Sequence, residues 1–179
     1  GNALNLLMNG NVFLYYGEEL GMKGSGKDEN KRAPMYWSKD KNAAGMCKGP
    51  ADMEDFQMKF DSLEEQQEDP DSIYNYVKQV IRVRNQNPVI ARGTTAYLEQ
   101  YSGEQCFALT RSYEGSNLLL LGNTSAEAVS VDLTGLTVGG TTAEELVLLG
   151  ELYTGEETAE RAGTVVTLPA YSILILGEE

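Results

Sequence analysis

From Gly93 onward the chain carries seven short apolar segments: TTAYLEQYS, QCFALTRSY, NLLLLGN, AVSVDL, ELVLLG, TVVTLP and YSILILG. Turns containing Gly, Asn or Ser divide the first six from one another, and Pro169-Ala170 precedes the last. None is long enough for an ordinary helix, and regular spacing of such runs predicts an antiparallel β-sandwich. NLLLLGN and YSILILG are apolar at successive positions, so both of their faces are buried and they belong at the centre of a sheet. The chain's 179 residues suffice for one ordinary domain or two small ones.

The first half reads differently. Residues 3–8, ALNLLM, end a helix that Asn9-Gly10-Asn11 stops. Val12–Tyr16 is a continuous apolar and aromatic run without alternation, the pattern of a parallel strand buried on both faces. It closes at Gly17, followed by Glu18 and Glu19. From Gly21 to about Pro50 the sequence is loop-like, and loops of that length are usually functional or disordered. Residues 51–69 carry scattered apolar anchors and predict one or two helical turns. Asp69-Pro70-Asp71-Ser72 then opens an amphipathic helix whose face is Ile73, Tyr76, Val77, Val80, Ile81 and Arg84, and residues 85–88 stop it.

Charge marks a boundary. Residues 1–92 carry 14 acidic and 12 basic groups; residues 93–179 carry 13 acidic and 2 basic groups. The shift from near balance to strong acidity predicts two domains, 1–92 and 93–179. A net charge of −13 makes nucleic acid and anionic membranes unfitting partners. No apolar run approaches the ~20 residues of a membrane helix, and the opening residues show no basic, apolar and cleavage-site series of a signal peptide. Cys47 and Cys106 lack metal spacing and read as two free thiols, with a disulfide as the alternative. Histidine, the commonest general base and metal ligand, is absent from the sequence.

Three quoted stretches, GNVFLYYGEELGM, DENKRAPMYW and SLEEQQEDPDSIYNYVKQVIRVRNQNPVIARG, together resemble the α-amylase family of retaining glycoside hydrolases. The resemblance continues to the ending LPAYSILIL and so spans nearly the whole chain. It implies an α+β arrangement: the last strand (Val12–Tyr16), the long loop and the last helix (residues 71–87) of a (β/α)₈ barrel, followed by an antiparallel Greek-key sandwich. The family's usual proline is replaced here by Val12, which affects only the local turn.

The resemblance also implies a substrate, starch or maltooligosaccharide with α-1,4 linkages, and an extracellular or cell-surface setting. It implies no cofactor in this segment, with calcium open for the full-length enzyme. Retaining glycosidases place two carboxyl groups about 5–5.5 Å apart across the scissile bond. The family takes them from barrel strands four and five, and a further aspartate from an Asn-His-Asp motif after strand seven; all would precede Gly1. These 179 residues are therefore expected to be inactive alone.

Glu18 and Glu19 do not suit a catalytic pair, because successive strand residues face opposite ways; one is expected to anchor the loop. By resemblance, Arg32, Tyr16, Glu18 and Trp37 border the sugar cleft. Arg32 either touches sugar or a catalytic carboxylate, or makes a salt bridge that folds the loop; Trp37 is a platform or a packing residue. Strand alternation lets at most one of Tyr15 and Tyr16 reach the cleft. Without neighbouring strands, residues 1–20 are expected either to refold or to self-associate. A non-catalytic carbohydrate-binding or structural module is the alternative reading.

Overall fold

The computed structural model describes residues 1–178 and separates into two compact units. One consists of Gly1–Asn2 and Phe13–Lys78, the other of Ala3–Val12 and Gln79–Glu179. The charge boundary at residues 92 and 93 thus falls inside the second unit, because the segments Ala3–Val12 and 79–92 fold together with the strands.

In the second unit, β1 (Thr94–Tyr97), β2 (Cys106–Tyr113), β3 (Ser116–Asn123), β7 (Val147–Leu152) and β10 (Ile173–Gly177) form a five-stranded antiparallel sheet in the order β1-β2-β3-β10-β7. A second sheet, β4-β9-β8, is made by β4 (Val129–Asp132), β8 (Glu160–Ala162) and β9 (Val165–Leu168). A short hairpin pairs β5 (Thr137–Val138) with β6 (Thr141–Thr142). β3 and β10 lie side by side in the interior of the larger sheet, as their unbroken apolar sequences require.

Alternation explains why both faces of those strands are apolar. Leu119, Leu121, Leu174 and Leu176 point into a core shared with Val131, Val166 and Leu168 of the smaller sheet. Leu118, Leu120, Ile173 and Ile175 are buried as well and belong to the opposite face. On that side Val83 of helix α4 (Ile73–Gln86) approaches Gly150 so closely that a Cβ there would lie 2.8 Å from Val83 Cγ1. Helix α5 (Pro88–Arg92) begins with Pro88 at its first position, where the missing N–H costs nothing. Burying one leucine side chain contributes about 2 kcal/mol, so this doubly covered sheet dominates the unit's stability.

Two arginines fasten the segment Ala3–Val12 to this unit. Helix α1 (Asn2–Leu6) ends in unsatisfied carbonyls. Arg84 Nη1 donates to Leu6 O and Met8 O, and Arg84 Nη2 to Gly10 O, each at 2.6 Å. Arg111, only 1% exposed, donates from Nη2 to Leu7 O at 3.0 Å and from Nη1 to Thr95 Oγ1. Burial, and then the neighbouring Arg84, pull the Arg111 guanidinium down from its usual value. Cations at a helix C-terminus complement its carbonyl dipoles.

The first unit has little regular structure. It holds a 3₁₀ turn at Glu18–Leu20, helix α2 (Asp28–Lys31), helix α3 (Leu63–Glu68) and the first turns of α4. Its order comes from buried polar side chains. Asn30, 1% exposed, donates to Ser25 O (2.8 Å) and Glu54 Oε2 (2.9 Å) and accepts from Glu54 N (3.0 Å). Gln66, 3% exposed, donates to Leu20 O (3.0 Å) and Asp61 O (2.7 Å) and accepts from Tyr74 N (3.0 Å). Ser62 and Glu65 form a capping box at the start of α3.

The expected strand at Val12–Tyr16 is not seen: among the described residues it joins no sheet, and Phe13 is 85% exposed. A strand exists only through its ladder partners, and the apolar run alone cannot supply them. Cys47 and Cys106 are free thiols. Among the described residues no helix is long and apolar enough to cross a membrane.

Candidate functional site

The first unit carries a groove of about 340 Å³ whose walls include Tyr15, Tyr16, Glu18, Lys23, Asn30 and Lys31. It forms where the extended run meets a sharp turn. Gly17 takes φ 87° there, and a Cβ in its place would lie 2.6 Å from Met22 Sδ, so only glycine fits. Gly17 N donates to Glu19 Oε2 at 2.8 Å, making Glu19 the carboxylate that anchors the loop. Asn2 Nδ2 donates to Glu18 O at 3.1 Å, which fixes the backbone of this turn.

The turn corrects the expectation from strand alternation. Tyr15 and Tyr16 line the same groove, their ring centroids 4.7 Å apart with planes inclined at 41°. The Tyr16 hydroxyl donates to Ala33 O at 3.0 Å, and that of Tyr15 to Lys31 O at 3.4 Å. The rings are thereby tethered to the last residue of α2 and to the segment that follows it. Burial pushes the Tyr16 phenol up from its ordinary value, and the neighbouring Tyr15 adds to the shift.

Of the four predicted site residues, Tyr16 and Glu18 come together in the groove; Arg32 and Trp37 are not among its walls. Arg32 Nη2 lies 3.5 Å from Glu29 Oε1, and its Nε donates to Asp28 O at 3.4 Å. That is the loop-folding geometry. Being largely exposed, the pair contributes about 0.5 kcal/mol at most. Trp37 is 44% exposed, and its backbone O accepts from Glu64 N at 3.1 Å.

Sequence reasoning did not single out Lys23, Asn30 and Lys31. Lys23 Nζ sits 5.7 Å above the Phe56 ring, and Lys31 pairs with Asp28 at 3.0 Å. The position of Asn30 depends on its bonds to Ser25 and Glu54, which no local pattern announces.

The groove combines two tethered aromatic rings, two ammonium groups and a single carboxylate, Glu18. Aromatic faces and flanking polar groups can hold a neutral polyhydroxylated ring. A single carboxylate cannot supply both an acid/base and a nucleophile. Among the described residues, no group of three or more Cys, Asp or Glu side chains gathers as a metal-binding cluster.

Residues 1–93 match the α-amylase catalytic domain family. A solved structure, Eubacterium rectale Amy13B, is 43% identical and superposes with a TM-score of 0.92 over 99% of this chain and 33% of its own. The α-amylase from H. orenii is 27% identical, with a TM-score of 0.73 over 99% of this chain and 34% of its own. The α-amylase of Streptomyces lividans is 27% identical over 98% of this chain and 18% of its own length. The chain therefore spans about a third of those solved structures and less than a fifth of that curated relative. The catalytic-domain match covers more than half of the sequence, and on it the chain belongs to the α-amylase family.

Proposed function

We propose that these residues are the C-terminal part of an α-amylase-type hydrolase that cleaves α-1,4-glucosidic bonds of starch or maltooligosaccharides. Residues 1–92 close its catalytic barrel and residues 93–179 form its C-terminal sandwich. The observation that carries this reading is the catalytic-domain match across residues 1–93. In the intact enzyme Tyr16 and Glu18, with Arg32 and Trp37 from the following loop, form a wall of the sugar cleft. The acid/base and the nucleophile come from the remainder of the barrel, because the groove of this chain offers only Glu18.

Chemically, the wall binds and orients. Tethered rings give the apolar face of a glucose unit a platform, while Glu18 accepts from its hydroxyls. Excluding water on one side of the sugar strengthens electrostatic stabilisation of the developing oxocarbenium charge. The exposed run Phe13–Tyr16 is covered in the intact enzyme by neighbouring barrel strands; in this chain alone a second copy covers it.

The deciding experiment is incubation of the purified 179-residue chain with soluble starch and with maltoheptaose. No release of reducing ends is expected, and turnover that co-purifies with the chain would refute the division of labour. In the intact enzyme, Tyr16→Ala is expected to lower kcat/KM by about tenfold. Sedimentation is expected to show dimers that Phe13→Ser disperses; a strictly monomeric wild-type chain would remove the second-copy reading.

A further inference from the structure

The second unit contains a groove of about 610 Å³ that the hydrolase reading leaves without a role. Its volume lies within the range of ordinary small-molecule sites. Tyr113 and Arg92 form one wall, with the guanidinium 5.9 Å from the ring centroid. Val89 and Leu149 supply apolar surface, and Asn117 and Glu178 stand among the polar lining.

The polar groups are held in place. Asn117 Nδ2 donates to Glu178 Oε2 at 3.0 Å and to Gly115 O at 3.1 Å. Thr141 Oγ1 donates to the other oxygen, Glu178 Oε1, at 3.3 Å. The carboxylate is thus fixed from both sides and still has lone pairs to accept from a ligand. Arg92 brings a fork of N–H donors to the opposite role.

The backbone beside Tyr113 is strained. β2 turns into β3 through Glu114 and Gly115, at φ 51° and 88°. Both central residues of such a two-residue turn need positive φ, which suits Asn-Gly far better than Glu-Gly. A non-glycine residue in this region is sterically disfavoured and persists where something else requires it. Here Glu114 also lines the groove.

We propose that this groove is a carbohydrate-binding site, which takes one or two units of a neutral glucan. Tyr113 stacks on a sugar through the ring face that Arg92 does not cover, Arg92 donates to ring or hydroxyl oxygens, and Glu178 accepts from hydroxyl groups. Charges of both signs line the groove, which fits a neutral polyol and disfavours a polyanion. The choice of an α-linked glucan rests on the function proposed above.

Titration calorimetry on the whole 179-residue chain tests it, with maltoheptaose and cellohexaose as probes. Saturable binding of maltoheptaose is expected, weakened about tenfold by Tyr113→Ala and about fivefold by Glu178→Gln. Tyr97→Ala should leave this binding unchanged, since Tyr97, 60% exposed, lines neither groove. Absence of binding up to about 20 mM, a free energy no better than about −2.3 kcal/mol, overturns the proposal. So does binding that both groove variants leave intact. Binding of cellohexaose alone, still abolished by Tyr113→Ala, upholds the groove as a sugar site and counts against the α-1,4 assignment.

Discussion

The two units of this chain are ordered by opposite means. Among the described residues of the first unit, the buried apolar side chains are Leu20, Ala33 and Val77, while Asn30, Ser38, Ser62, Gln66 and Ser72 are buried polar ones. In the second unit the proportion reverses, with leucines, isoleucines and valines filling both faces of a sheet. Hydrophobic burial is non-directional and tolerates neighbours of the right size. Buried amides act by specific geometry, and each becomes costly when a partner is lost. The first unit is thus shaped by hydrogen bonds, and the sandwich by volume.

This contrast can be broken most forcefully in the sandwich. Leu121 is fully buried in the shared core, so Leu121→Ala is expected to destabilise the second unit by about 3 kcal/mol. Calorimetry should show a large fall in its transition. A loss below about 1 kcal/mol would mean that the core collapses around the deletion and is less tightly specified than the packing implies.

A smaller effect is expected from the polar scaffold. Gln66→Leu removes the donor to Leu20 O and Asp61 O and the acceptor of Tyr74 N. The expected cost is about 2 kcal/mol, confined to the first unit. Hydrogen exchange should speed up at Tyr74 and in the groove turn while β3 and β10 keep their protection. Equal loosening of both units would erase the distinction.

The smallest effect concerns acid and salt. Lys39 bonds to Glu65, and with the Ser62 hydroxyl it lowers the Glu65 carboxyl, while Glu65 and Asp61 raise Lys39. In the second unit, the Thr134 hydroxyl and backbone N–H and the Thr164 hydroxyl lower Asp132. Both carboxyls are depressed, so each contribution is complete above the ordinary values, 4.5 and 3.8, and is lost as pH falls through the lower native ones. The Glu65 contribution depends on a lysine charge and should shrink in 1 M salt; that of Asp132 depends on neutral hydroxyls and should not. NMR titration at low and high salt separates them.

The same contrast governs what could be read from the sequence. All seven apolar segments after Gly93 became strands, and the amphipathic helix expected over 71–87 spans Ile73–Gln86. Periodicity and turn residues encode such elements locally. β8, exposed at each of its three positions, carries no apolar signal and was not foreseen. Val12–Tyr16 has the composition of a buried strand without ladder partners here, since pairing lies in other residues. The groove was half legible. Tyr16 and Glu18 follow from the motif, whereas Lys23 and Asn30 enter through a loop whose path depends on bonds to Ser25, Glu54 and Met58.

The arginine grip on α1 also sets a sequence of events. Leu7 and Arg111 are 104 residues apart, and Arg84 reaches back 74 to 78 residues. As the chain leaves the ribosome, the carbonyls of Leu6, Met8 and Gly10 wait until α4 brings Arg84, and that of Leu7 waits until β2 brings Arg111. Contacts of such long range are closed late, after their loop entropy has been overcome. The segment 6–10 is therefore made before its partners and locked in place only after them.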